Sequence, residues 1–252
     1  MIFCISAQND TLLSILKKSS GIRVSDKKIV LPTTISRIRL DIGLSYSAPI
    51  SQQWLSQNND LIVFGFEPNP ESVASIQRGA HKQHPSHGEP LDPRSIGTRF
   101  FLIPCALGTT EKTHIPFYIT AGDCGCSSRY RPVSLPIEKI IEVPIFPLNK
   151  FFEHFPFDTH PFIEYIKIDA QGADLDIVQS GGNYIAEHVL FITIEAEDTA
   201  YYGTNNSVAA IEHFMQSIGF MPYYDGTTHD PTYYNTRFRE YIAQNPVVLY
   251  QQ

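Results

Sequence analysis

The chain is poor in sulfur, short of positive charge and free of long apolar runs, and each shortage closes a functional class. Only four cysteines occur in 252 residues, Cys4, Cys105, Cys124 and Cys126. Their spacing matches no zinc ligand set, and Cys124-Gly125-Cys126 is a weak redox motif, so ordinary reduced thiols are expected. Lysine and arginine total 19 against 26 aspartates and glutamates, a formal net charge of −7. A general nucleic-acid binder needs a basic face for phosphates, and no surplus exists here to build one. No apolar stretch reaches the ~20 residues of a membrane span. The N-terminal MIFCISAQNDTLL has no charged region leading into an apolar core. No signal peptide is therefore read, and a cytoplasmic location is expected. Also missing are a Gly-x-Gly-x-x-Gly fingerprint and a Gly-Lys-Ser/Thr loop. Their absence opposes an NAD-linked oxidoreductase and a nucleotide hydrolase.

What is present is an ordinary globular composition, 42% hydrophobic and 18% charged. The length suits a single domain over 1–252, with an N-terminal extension at 1–34, a polar loop at 79–98 and an inserted hairpin region at 110–147. Strands are expected near 28–31, 36–42, 61–67, 99–106, 114–120, 143–146, 162–169, 189–195, 220–224 and 246–250. Helices are expected near 48–57, 70–77, 149–155, 173–180 and 207–218. The last carries Val208, Ile211, Met215 and Ile218 on one face. Strands and helices alternate, which predicts an α/β fold with a mainly parallel sheet covered on both faces.

The stretch Ile35 to Pro70, ISRIRLDIGLSYSAPISQQWLSQNNDLIVFGFEPNP, carries the most information. A β-branched run ends in Asp41-Ile42-Gly43, and Ser47 and Pro49 are placed to start a helix. A second apolar run, Leu61 to Phe66, ends in Glu67. Such a unit sets a glycine under a ligand, a helix N-terminus beside it, and an acid where two ribose hydroxyls can be gripped. An adenosine-type cofactor is implied. The turn Gly43-Leu44-Ser45-Tyr46-Ser47-Ala48 has one glycine only, too few for close approach to a pyrophosphate. S-adenosylmethionine, which has none, fits better.

Six pieces then occur in order between about 38 and 197: LDIGLS, VFGFEPNP, CALG, the Ser127-Ser128 pair, YIKIDAQGADLDIVQSGG and FITIEAE. Together they resemble the FkbM-type methyltransferases, S-adenosylmethionine-dependent O-methyltransferases built on the class I sheet. The resemblance implies a Rossmann-like three-layer sandwich whose seven-stranded, mainly parallel sheet has an antiparallel last strand, placed here at 246–250. It also implies a small-molecule or glycan substrate methylated on a sugar hydroxyl. Two positions depart from the family pattern: Ser45 in the Asp-x-Gly-Ala-Asn turn, and Gln171 for the first glutamate of Lys-Ile-Asp-x-Glu-Gly-x-Glu. Gln171 and the single-glycine turn support the alternative, a non-catalytic S-adenosylmethionine-binding or scaffold module.

Glu67 is the first candidate site residue, as ribose acceptor; its plain reading is an acid favoured by the following helix dipole. Gly43, Ser45, Pro68 and Asn69 surround it as cofactor contacts, and Asp41 orients the turn or meets the amino-acid end of the cofactor. The resemblance sets Ala106, Leu107 and Gly108 beside the adenine and Asp123 to Ser128 near the cofactor. Lys167 and Asp169 share a face at a strand end and need mutual or ligand partners. The resemblance places Asp169 at the reacting methyl. Glu195 and Glu197, at the next strand end, are alternative bases; a divalent cation joining them to Asp169 is the less favoured reading. His213 is a poorer base candidate. His81, His84 and His87 lie in a polar loop interrupted by Pro85 and are not read as metal ligands. The tyrosine pairs at 201–202, 223–224 and 233–234 are candidates for a sugar pocket, and Trp54 for helix packing.

Overall fold

A computed structural model describes residues 12–17, 21–79, 88–110, 112–223, 230–247 and 249. Cys4, His81, His84, His87 and Tyr224 lie outside the described residues. Apolar, β-branched runs form strands β1 (Arg37–Ile42), β2 (Leu61–Phe66) and β3 (Phe100–Ile103), which pair in parallel. The segment expected at 99–106 divides at Pro104, which has no N–H for the ladder. Its second half becomes β4 (Ala106–Leu107) and joins a different sheet. That sheet is completed by the hairpin β5 (His114–Thr120) and β6 (Ile137–Phe146), inside the region 110–147.

The chain then returns to the main sheet through β7 (Ile163–Ile168) and β8 (Val189–Ile194), both parallel to β1, and ends with β9 (Phe220–Pro222) and β10 (Thr232–Asn235). The seven strands lie in the order β3-β2-β1-β7-β8-β10-β9, and β10 is antiparallel to both its neighbours. The antiparallel strand is therefore at Thr232–Asn235, not at 246–250, where positions 246, 247 and 249 are not strand. Pro246 cannot donate to a ladder. Val247 and Leu249 instead pack into the apolar cluster that contains Trp54.

Helices cover both faces. Leu40, Phe64 and Ile166 point to α3 (Leu148–His154), α4 (Asp174–Ser180) and α6 (Val208–Ser217). Val63, Tyr165 and Phe191 point the other way, to α1 (Pro49–Gln57), α2 (Pro70–Arg78) and α7 (Arg239–Gln244). A short helix that the sequence did not announce, α5 (Asn183–His188), follows Gly182. α2 is bounded by local signals: Asn69 Oδ1 accepts from Glu71 N, Pro70 leads, and Gly79 closes at φ 63°. α1 differs from expectation. Ala48, at φ 48°, precedes Pro49 with no side-chain cap, and Ser47 instead offers its carbonyl to Leu91 N. Among the described residues no helix is long and apolar enough to cross a membrane.

Below the site, β1 and β7 are tied by charge. The fully buried Arg39 donates from Nε to Glu164 Oε2 at 2.8 Å, its guanidinium 5.1 Å from the Trp54 ring centre. Arg37 holds the other oxygen of Glu164. Glu164→Ala would leave Arg39 buried without its carboxylate. Unfolding stability should drop by about 3–5 kcal/mol, read as a lower urea midpoint at unchanged slope. A stability loss under about 1 kcal/mol would show that solvent reaches Arg39.

Candidate active site

The order of strands reverses between β1 and β7, and the crevice at such a point is where open α/β sheets bind ligands. A cavity of about 780 Å³ opens there, at the carboxyl ends of β1, β2 and β7. That size suits a cofactor with a small substrate. Strand register sets its floor: Asp41, Lys167 and Thr193 lie side by side on β1, β7 and β8.

Gly43 sits at φ 81°, and a Cβ there would fall on the carbonyl of Asp169. The single glycine is thus required by the close approach of the loops after β1 and β7, besides lining the cavity. Ser45 next to it takes φ 55° and also lines the cavity. Glu67 is 5% exposed. Its two oxygens accept from Leu44 N at 3.2 Å and Asn69 N at 2.8 Å, and each keeps acceptor capacity toward the cavity. Burial pushes its pKa up to about 8, against those two hydrogen bonds. Asp41 is buried too. Ser51 donates to its Oδ2 at 2.5 Å, while Oδ1 has no protein partner. Burial raises its pKa, partly opposed by Lys167.

Lys167 Nζ donates to Asp169 Oδ2 at 3.0 Å and Gly43 O at 3.3 Å. Burial works against its charge, but Asp169 and Asp41 outweigh that and raise its pKa. Asp169 moves the other way. Burial would raise it, yet Lys167, Gln171 and Glu195 together hold its pKa below the usual value. Glu195 is pushed up to about 10 by burial and by Asp169 and Asp174. At neutral pH Asp169 is therefore ionised and Glu195 protonated, the two hydrogen-bonded to each other. Gln171, at φ 55°, clamps this pair: Nε2 lies 2.8 Å from both Asp169 Oδ1 and Glu195 Oε2. Tyr201 OH donates to Gln171 Oε1 at 2.7 Å, and Ser128 Oγ to Gln171 O at 2.7 Å. A glutamate here would set a third carboxylate beside two others; the amide supplies donors instead.

The sequence reading missed Asp174 and Asn206. Asp174 accepts from Ala170 N at 2.7 Å and Gly172 N at 3.0 Å, shaping the turn that presents Asp169. Asn206 bonds Asp174 Oδ2, Leu175 N and Glu195 O, joining that turn to β8. A signal for Asp174 existed, since it occupies the final acidic position of the Lys-Ile-Asp-x-Glu-Gly-x-Glu pattern. Asn206 had none.

The remaining candidates divide. Pro68, Ala106 and Leu107 line the cavity, with Cys105, Phe117 and Ile177 extending an apolar wall. Asn69 and Gly108 are not on its wall; Asn69 caps α2, and Gly108 packs against Arg129 and Asp176. Glu195 stands behind Asp169 rather than on the wall. Glu197 is turned away: its Oε1 accepts from Thr199 N, Thr199 Oγ1 and Ala200 N at 2.8–3.0 Å. His213 is exposed on α6. Of the described tyrosines in the three pairs only Tyr201 reaches the Asp169 network, through Gln171; Tyr233 is core and Trp54 is buried against Tyr165. Among the described residues no three His, Cys, Asp or Glu side chains are grouped to hold a metal ion.

Glu67 and Asp174, pushed up to about 8 and about 7, bind a proton more tightly folded than unfolded. Stability should therefore fall as pH rises through that range. His154, lowered mainly by burial, acts oppositely, but only below the ordinary histidine value of 6.5. The Asp169 contribution is lost only on acidification below the usual carboxylate range. The urea midpoint of the ligand-free protein should thus decline from pH 6.5 to pH 8; a midpoint rising over that interval would refute these assignments.

A family model, the methyltransferase FkbM domain, matches residues 52–222. The match begins inside α1 and ends with β9, so Asp41 and Gly43 precede it. No curated protein matches the chain.

Proposed function

Because the chain belongs to the FkbM methyltransferase family, we propose that it is an S-adenosylmethionine-dependent O-methyltransferase acting on a hydroxyl of a sugar or glycan. One observation carries this reading: buried Glu67, the unpaired oxygen of Asp41 and the Lys167–Asp169 pair converge on one cavity at the strand switch point.

The residues fit the cofactor chemically. The spare acceptor positions of Glu67 would take the ribose hydroxyls, and Asp41 Oδ1 would accept from the ammonium group. The wall of Cys105, Ala106, Leu107 and Phe117 would hold the adenine. When bound, the cofactor supplies a methyl group made electrophilic by a sulfonium. The protein's own contribution is then position and proton transfer. A neutral hydroxyl that attacks carbon becomes cationic at oxygen, so its proton turns strongly acidic. A carboxylate kept ionised by Lys167 can take that proton even though its pKa is low, and this is the role proposed for Asp169. Glu195, protonated, supports Asp169 by donating to it and does not compete as base.

Calorimetry with S-adenosylhomocysteine and with NAD tests the cofactor. The first should bind and the second should not; the reverse would overturn the reading. Transfer of a labelled methyl group to sugars would separate the enzyme from a binding module, which would retain the cofactor and label nothing.

A further inference from the structure

Resting on the methyltransferase reading above, we propose that loop 121–127 is a strap across the cofactor cavity, latched by the hydrogen bond between Tyr46 and Asp123, and that this latch sets how fast the cofactor is exchanged.

The root of the strap is fixed. Tyr118 N donates to Ser128 O at 2.8 Å and Ser128 N to Tyr118 O at 3.1 Å, so the chain leaves β5 and returns beside it. Inside that closure Thr120 N donates to Ser127 Oγ at 3.2 Å, and Thr120 Oγ1 donates to the carbonyl of Asp123. A loop whose ends meet and whose own groups fill it holds its shape. Positions 121–123 are exposed, while Asp123, Gly125, Cys126 and Ser127 line the cavity. Gly122, at φ 86°, has nothing within 4 Å of its Cβ position, which leaves room there for the tip to swing.

The tip reaches across to the loop after β1. Tyr46 OH donates to Asp123 Oδ1 at 3.0 Å, and Gly125 N donates to the same oxygen at 2.9 Å. The approach is close: a Cβ on Gly125 would lie 3.2 Å from Ser45 Oγ. Gly43 and Ser45 line the cavity from this side, so two of its walls are joined to each other. The join is light, a side-chain hydrogen bond to a carboxylate at an exposed position. Bonds of that kind open with local loop motion. Tyr46 itself is not on the cavity wall, so its hydroxyl acts on a ligand there through the strap it holds.

The strap also touches the reacting end of the site. Tyr201 OH lies 2.8 Å from Cys126 O and 2.7 Å from Gln171 Oε1. The closed strap therefore shares a hydroxyl with the residue that bonds Asp169. A lid that closes over a ligand and completes the catalytic set at the same moment works in this way.

The test is surface plasmon resonance with the purified protein and S-adenosylhomocysteine. Tyr46→Phe keeps the ring and removes the latch. Its dissociation rate should rise about tenfold, the scale of one hydrogen bond to a charged group. Association should become faster too, because the unlatched cavity stands open more of the time, so affinity should fall by less than the dissociation rate rises. Asp123→Ala should behave likewise. Adding Tyr46→Phe to Asp123→Ala should change the rates less than about twofold, since the two residues act as one pair. Unchanged dissociation in Tyr46→Phe would overturn the strap. So would faster dissociation with slower association, the mark of a damaged site, or fully additive effects in the double variant. Absence of binding to the unmodified protein would defeat the methyltransferase reading and the strap with it. Binding whose rates ignore the latch would defeat the strap alone.

Discussion

Asp169→Asn should lower turnover by about 10²-fold or more, the scale expected when a general base is removed, with cofactor affinity changed only a few-fold. The substitution keeps the shape of the side chain and its hydrogen bond from Lys167, 3.0 Å away, so the turn before α4 should persist. What disappears is the charge that the Lys167 ammonium keeps ionised. Without it the acceptor oxygen has no nearby group to receive its proton as it becomes cationic. The companion Glu195→Gln separates base from support. Glu195 is pushed up to about 10 and so carries a proton at neutral pH. Glutamine can still donate to Asp169, so this variant should retain most activity. Single-turnover rates with labelled cofactor would decide. Full activity in Asp169→Asn together with loss in Glu195→Gln would transfer the base to Glu195. Full activity in both would leave positioning as the main source of rate.

Glu67→Ala should weaken S-adenosylmethionine binding by about 10²-fold. Two charge-assisted hydrogen bonds to the ribose contribute roughly 1.5–3 kcal/mol each. Part of that gain is offset because the empty protein carries Glu67 largely protonated at pH 7, its pKa being about 8. Binding then releases a proton. Affinity of the unmodified protein should accordingly rise about tenfold between pH 7 and pH 9, and flatten above. Alanine also strands the N–H groups of Leu44 and Asn69, which donate to the carboxylate at 3.2 and 2.8 Å. Glu67→Gln, which keeps an acceptor oxygen, controls for that local damage. It should bind the cofactor weakly with no pH dependence in this interval. Calorimetry showing wild-type affinity in both variants would remove Glu67 from the ribose.

Local chemistry explains what the sequence by itself determined. Strands β1, β2, β3, β7 and β8 are apolar runs buried along nearly their whole length, whereas β5 and β6 alternate exposed with half-buried or buried residues, and both patterns are visible without a partner. The start and stop of α2 are written in Asn69, Pro70 and Gly79, whose bonds reach only a few residues along the chain. Glu67 and Asp169 were legible for the same reason: an acid directly after a buried strand must emerge at the sheet edge. Only the tertiary structure decided the rest, because those features depend on contacts between distant segments. The antiparallel strand lies at Thr232–Asn235 because that segment finds β8, a pairing no local pattern encodes. Gly43 is needed because the loop carrying Asp169 presses against it. Gln171 became a clamp and Asn206 entered the site through hydrogen bonds that close only once β7 and β8 lie side by side. The protonation of Glu195 was set last, by burial beside Asp169, a property of the folded surroundings and of no residue alone.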